Sequence, residues 1–207
     1  MGMRHLTKAI MAVALSVSAF AAMPVPRQSK EFTFVQPGGK QTLLSSYKGK
    51  VVCIQFLYTT CPHCQALSRV LTKMSGELGP NVQFLGVAFD EENPQLASAN
   101  IQGYIKQQGV SFPVAFASRD TVMSYLGLSV MDRFVVPQMA IIDKKGVIRA
   151  QSAAMGTETL QREDTLMPLL KGLVAESATG GATTSKTPAK PAEKTPTTPA
   201  PPQKKAT

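Results

Sequence analysis

The chain has 207 residues, 43% hydrophobic and 17% charged, with a net charge of +9, which is enough apolar material for one ordinary core. The charge sits mostly at the ends: Arg4 and Lys8 supply two of the nine, and residues 178–207 supply four, from five lysines against Glu193. Only three remain for the middle, and no basic stretch is interleaved with aromatic side chains, so composition excludes an evident nucleic-acid-binding class.

Residues 1–21 read as an export signal. Arg4 and Lys8 form a basic start, Ala9 to Val17 is apolar, and Ala19-Phe20-Ala21 places small residues at −3 and −1, so cleavage is expected after Ala21. The alternative is an uncleaved anchor, but the stretch from Ala9 to Ala22 is shorter than the roughly 20 residues of a membrane span. The expected location is therefore outside the cytoplasm, in a periplasmic or other extracytoplasmic space, where disulfides persist. Residues 22–30 read as a short linker.

Residues 31–177 carry the alternating patterns of one α/β domain. Glu31 to Val35 alternates like an edge strand, and Pro37-Gly38-Gly39-Lys40 is a turn. Val51 to Leu57, VVCIQFL, is a nearly continuous apolar run, as expected of a central strand covered on both faces. From Pro62 to about Leu78 the apolar residues Leu67, Val70, Leu71 and Met74 recur at helical spacing, ended by Gly79-Pro80. Val82 to Phe89 predicts a strand, Gln95 to Gln108 a helix, Phe112 to Phe116 a short strand and Asp120 to Leu126 a short helix. Gln138 to Asp143 and Val147 to Gln151 predict a hairpin around Lys144-Lys145-Gly146, and Glu158 to Glu176 a last helix. This order predicts an α/β sandwich with a mixed sheet.

Residues 178–207 lack any large apolar side chain and are dense in proline and lysine, so burial cannot offset their ordering entropy and the segment reads as a disordered tail. A solvated spacer is the plainer reading. Weak attraction to an anionic membrane or cell surface, through this cationic tail or the N-terminal segment, is the functional one.

The sequence Tyr58-Thr59-Thr60-Cys61-Pro62-His63-Cys64-Gln65 falls where the central strand gives way to a helix. There Cys61 lies near free backbone N–H groups and the positive end of the helix dipole, which favours an ionised sulfur. Pro62 suits the first turn because its missing N–H is not needed there. Cys64, three residues on, shares a helix side with Cys61 and is within disulfide reach. The expected roles are Cys61 as nucleophile and Cys64 as resolving thiol. His63 is the one histidine left once His5 departs with the signal, and a hydrogen bond or positive charge from it would stabilise the reduced form.

With VVCIQFL before the dithiol, Phe112-Pro113-Val114, Val136-Pro137-Gln138 and the hairpin turn at Asp143–Gly146, the chain resembles the thioredoxin superfamily, nearest its exported TlpA/ResA and redoxin-like branch. The resemblance spans about Glu31 to Ala175. It implies a thioredoxin-like three-layer sandwich with an N-terminal β-hairpin, and a thiol-disulfide oxidoreductase without cofactor or metal. It implies cysteine-containing envelope proteins and an upstream redox carrier as partners. It also implies that Pro137 is a cis proline facing the dithiol, with Val136 pairing an incoming substrate and Pro62 and Thr60 beside it.

Three positions depart from the family pattern. Thr60 stands where a tryptophan is usual, and Gln55 stands where thioredoxins bury an acid, so no carboxylate there accepts a proton from Cys64. Glu91 is the best match to the glutamate that the TlpA/ResA branch places after the next strand, although Asp90-Glu91-Glu92 also reads as a solvated acidic loop. Cys53 reads as a small buried apolar residue. A metal site would need a second cysteine pair or a distant histidine, and neither is present. The competing functions are a peroxiredoxin-like thiol peroxidase, against which Tyr58 replaces the expected threonine, and a non-catalytic envelope module in which Cys61–Cys64 is a structural staple.

Overall fold

The computed structural model describes residues 23–129 and 131–176; the expected export signal over 1–21 and the expected disordered tail over 178–207 lie outside the described residues. The molecule is organised around β4 (Val51–Leu57), all seven of whose residues are buried. It pairs in parallel with β5 (Val82–Ala88) and antiparallel with β7 (Gln138–Ile142). Beyond β7 come β8 (Val147–Gln151) and β1 (Arg27–Gln28); beyond β5 come β6 (Val114–Phe116) and the hairpin of β2 (Thr33–Val35) with β3 (Gln41–Leu43). The order across the eight-stranded sheet is β1-β8-β7-β4-β5-β6-β2-β3.

Successive strand residues point to opposite faces, and β4 therefore feeds two cores. Val51, Cys53 and Leu57 pack with Leu67 and Leu71 of α1 (Pro62–Leu78), Ile101 of α2 (Pro94–Gln108) and Leu166 and Leu170 of α4 (Glu163–Glu176). Val52, Ile54 and Phe56 pack with Phe32, Phe34 and the buried side of α3 (Arg119–Leu126). The protein is thus the expected thioredoxin-like three-layer α/β sandwich with a mixed sheet and an N-terminal hairpin. Gln55 is the polar residue on the face that carries α1 and α2, and this places it beneath the dithiol.

Some boundaries move for local reasons. The expected strand from Phe112 begins at Val114, since Pro113 has no N–H and its carbonyl instead accepts from Gly86 at 2.9 Å. The expected helix from Glu158 divides into a 3-10 turn over Glu158–Gln161 and then α4, with Arg162 extended between them. Glu163 and Asp164 open α4, where acidic side chains meet the positive end of the dipole. The stretch read as a linker contains β1, which pairs Arg27 with Ile148 and Gln28 with Val147. Two residues are too few to show a strand period. No described helix is long and apolar enough to cross a membrane.

Gly86 shows how closely the sheet and its neighbours approach. A Cβ there would lie 3.1 and 3.2 Å from the methyls of Val114 and 3.3 Å from Leu57 Cδ2, and both partners are buried without room to move. Gly86→Ala is expected to destabilise the fold by about 1–3 kcal/mol through overpacking. A lowered urea midpoint is the readout, and an unchanged one contradicts this packing.

Candidate active site

At the end of β4 the chain makes a turn through Tyr58, Thr59 and Thr60, closed by a hydrogen bond from Cys61 N–H to the Tyr58 carbonyl at 3.1 Å. Asp90, two residues past β5, fastens this turn: its Oδ2 accepts from both the N–H and the hydroxyl of Thr59, each at 2.7 Å. Gln65 Nε2 donates to the Thr59 carbonyl at 3.0 Å from the helix side.

Cys61 is the N-cap residue of α1, with extended backbone and Pro62 directly after it. Its sulfur accepts the backbone N–H of Cys64 at 3.4 Å, one of the donors that a helix start leaves free. On its other side it lies 3.9 Å from the carbonyl oxygen of Val136, in donor geometry. The Val136–Pro137 peptide is cis. Cys61 is half-buried, whereas Cys64 is sealed, and both are free thiols.

The Cys64 thiol is pushed well above its ordinary range, first by burial and then by its hydrogen bond to Cys61 and the negative fields of Cys61 and Asp90, with a backbone hydrogen bond from the Tyr58 side opposing. Burial does the same to Cys53, which is enclosed in the core.

Beneath the pair lies a buried polar network. Gln55 Nε2 donates to the Cys64 carbonyl at 3.0 Å, Ser68 Oγ donates to Gln55 Oε1 at 2.7 Å, and the Tyr104 hydroxyl lies 2.6 Å from Ser68 Oγ and 3.2 Å from the same Cys64 carbonyl. Since the Ser68 proton is committed to Gln55, the short contact has Tyr104 donating to Ser68. Burial lifts the Tyr104 hydroxyl to about 12. Every member is uncharged at neutral pH, so this network orients Cys64 and has no carboxylate to take its proton.

The other predicted residues fall on the rim or away from it. Thr60, Pro62 and His63 are exposed around Cys61, and His63 makes no side-chain hydrogen bond among the described residues. Glu91 accepts the Asn93 N–H at 2.8 Å and lines a cavity with Phe32, Thr33 and Phe116 on the hairpin side. The acid that meets the dithiol loop is its neighbour Asp90. The parallel register pairs Leu57 with Ala88, and continuing it two residues sets Thr59 beside Asp90. That register was the missing signal. Ser68 and Tyr104 were also overlooked; their meaning depends on Gln55 facing them across the core.

This geometry defines a class: a thioredoxin-like sandwich that presents a helix-start cysteine to solvent and hides its partner behind it. Among solved structures, the chain is similar to a thiol:disulfide interchange protein of the thioredoxin family from Chlorobium tepidum TLS, with TM-score 0.59 and 22% identity over 74% of this chain and 99% of that one. It is also similar to the thioredoxin domain of a thiol-disulfide oxidoreductase from Bacteroides vulgatus, with TM-score 0.56 and 17% identity over 72% and 99% of the two chains. In sequence it is 27% identical over 143 residues to the thiol-disulfide oxidoreductase ResA of Geobacillus thermodenitrificans, covering 69% of this chain and 75% of the relative. ResA of Bacillus anthracis is 26% identical over 132 residues, covering 62% and 69%. Residues 21–165 match the Redoxin family, and the chain belongs to it: an oxidoreductase of the thioredoxin superfamily.

A thiol whose pKa is higher in the folded than in the unfolded chain keeps its proton longer when folded. Below the unfolded value of about 8.5, both states are protonated and the contribution is whole; above it the unfolded chain ionises first and stability is lost by up to ~1.4 kcal/mol per pH unit per thiol. The urea midpoint of the reduced protein is therefore expected to fall from pH ~8.5 to ~10, with a shallower slope for Cys53→Ala. A flat midpoint for the reduced protein over that window contradicts the sealed positions of Cys53 and Cys64.

Proposed function

We propose that the protein exchanges disulfides with cysteine-containing envelope proteins through Cys61 and Cys64. The observation that carries this reading is the asymmetry of the pair: Cys61 is reachable and receives the Cys64 N–H, while Cys64 lies sealed beside it. In the reducing direction the Cys61 thiolate attacks one sulfur of a client disulfide, forming a mixed disulfide and releasing one client thiolate. Cys64 then loses its proton and attacks Cys61, which forms the Cys61–Cys64 disulfide and releases the second client thiolate. Two electrons pass from protein to client, and the reverse sequence oxidises a client dithiol.

Asp90 is the carboxylate whose field reaches Cys64, and in this reading it receives that proton in place of the acid that Gln55 replaces. Val136 and Pro137 supply the backbone against which a client lies, with Thr60 and Pro62 on the exposed rim. His63, when protonated, favours the reduced form through solvent and raises the potential. An export signal over 1–21 places this chemistry outside the cytoplasm, where an upstream redox carrier resets the pair.

Turbidimetric insulin reduction driven by dithiothreitol tests the reading. The wild-type protein is expected to accelerate precipitation and Cys61→Ala to fall to the rate of dithiothreitol alone. Equal rates for the two proteins would leave the pair a structural staple.

A further inference from the structure

We propose that a groove beside Val136 selects client segments in which an acidic residue and an apolar one flank the cysteine; this rests on the exchange reading above. The groove, of about 510 Å³, runs from Tyr58 and the start of α3 along Asp132–Val136 to Met155. Val136 is at once part of its wall and the neighbour of the Cys61 sulfur, so a chain seated against Cys61 continues into it.

The groove is apolar where an unused surface would be polar. Among the described residues six large hydrophobic side chains are exposed, and three of them gather here: Met155 at 66%, Val135 at 40% and, beside the groove, Met131 at 86%. Val135 N–H donates to the Ala154 carbonyl at 2.9 Å, which holds the two sides of this apolar strip together. Clustered exposure of this kind marks an interaction surface, and methionine adapts to varied side chains.

Its charged end is built on a rigid shelf. Phe134 stacks on Phe89 at 6.1 Å, Phe89 packs on Tyr58 at 4.7 Å, and the Arg119 guanidinium lies 4.8 Å over the Phe134 ring while donating to the Tyr58 hydroxyl at 2.8 Å. That leaves guanidinium N–H groups facing outward in a fixed plane. Arg119 and Arg133 form no salt bridge among the described residues. Glu92 accepts the backbone N–H of Arg119, at 3.0 Å, and Asp132, the acid in the lining, accepts the Ser129 N–H at 2.6 Å. Within the lining two guanidinium groups stand against the engaged carboxylate of Asp132 alone, with Glu92 held on backbone outside it, and a client carboxylate complements that excess in a bidentate pair.

The test uses the full chain, reduced, and three peptides alike except for one position. Each carries a single cysteine as a mixed disulfide with 2-mercaptoethanol, a leucine beside it, and Glu, Gln or Lys two residues away. Exchange oxidises the protein dithiol to its disulfide and releases each peptide as a thiol together with 2-mercaptoethanol. At physiological salt the Glu peptide is expected to react about fivefold faster than the Lys peptide, the gain of one exposed ion pair. The Glu/Lys ratio is expected to collapse in Arg133→Glu and in Arg119→Gln and to persist in Lys106→Glu, a charge reversal on exposed α2. A ratio is read because a change at the dithiol itself cancels in it. Equal rates for the peptides, or a ratio indifferent to both arginines, overturn the inference while reduction of the small neutral 2-hydroxyethyl disulfide continues. Loss of that reduction in the wild-type protein overturns the exchange reading instead.

Discussion

The site depends on how one residue's backbone is held at both ends. The N–H of Cys64 is given to the sulfur of Cys61, and its carbonyl is taken by Gln55, with the Tyr104 hydroxyl within reach. The first bond exists because Cys61 caps a helix, where free N–H groups need an acceptor. The second exists because Gln55 points from the central strand toward α1 and α2. Together they fix the second cysteine under the first, so that one is presented and the other withheld.

The withheld thiol has chemical consequences. Burial keeps Cys64 protonated, and the neighbouring Asp90 opposes its ionisation further. Thioredoxins answer this with a buried acid beneath the pair, and here the same space holds a neutral chain from Tyr104 through Ser68 to Gln55. A neutral chain positions without exchanging protons; Asp90, proposed above to take the Cys64 proton, is fastened to the dithiol loop through Thr59.

Much of this was legible in the sequence because the signals were strong. An apolar run broken only by Gln55 marks β4, and a proline after Cys61 with Gly79-Pro80 at the far end bounds α1. Gln55 stands out only against the family pattern, which expects an acid there, and its partners have no local signal: Ser68 and Tyr104 come from two different helices, and no sequence pattern announces that they converge. Which of the adjacent acids meets the dithiol loop is decided by the β4–β5 register, a tertiary fact that sets Asp90 beside Thr59. The edge strand β1 was too short for a period, and Arg162 interrupts a stretch whose apolar spacing alone reads as one helix. Of the groove only Val136 is marked, through the family resemblance; the rest is assembled from separate loops and a helix start whose residues share no sequence pattern.

Everything turns on the difference in access between the two sulfurs, and alkylation measures it directly. The reduced, folded protein is treated with iodoacetamide at neutral pH, quenched, digested and mapped by mass spectrometry. Modification of Cys61 alone is expected, with Cys53 and Cys64 reacting only after unfolding. Labelling of Cys64 at a rate comparable to Cys61 in the folded protein would contradict it.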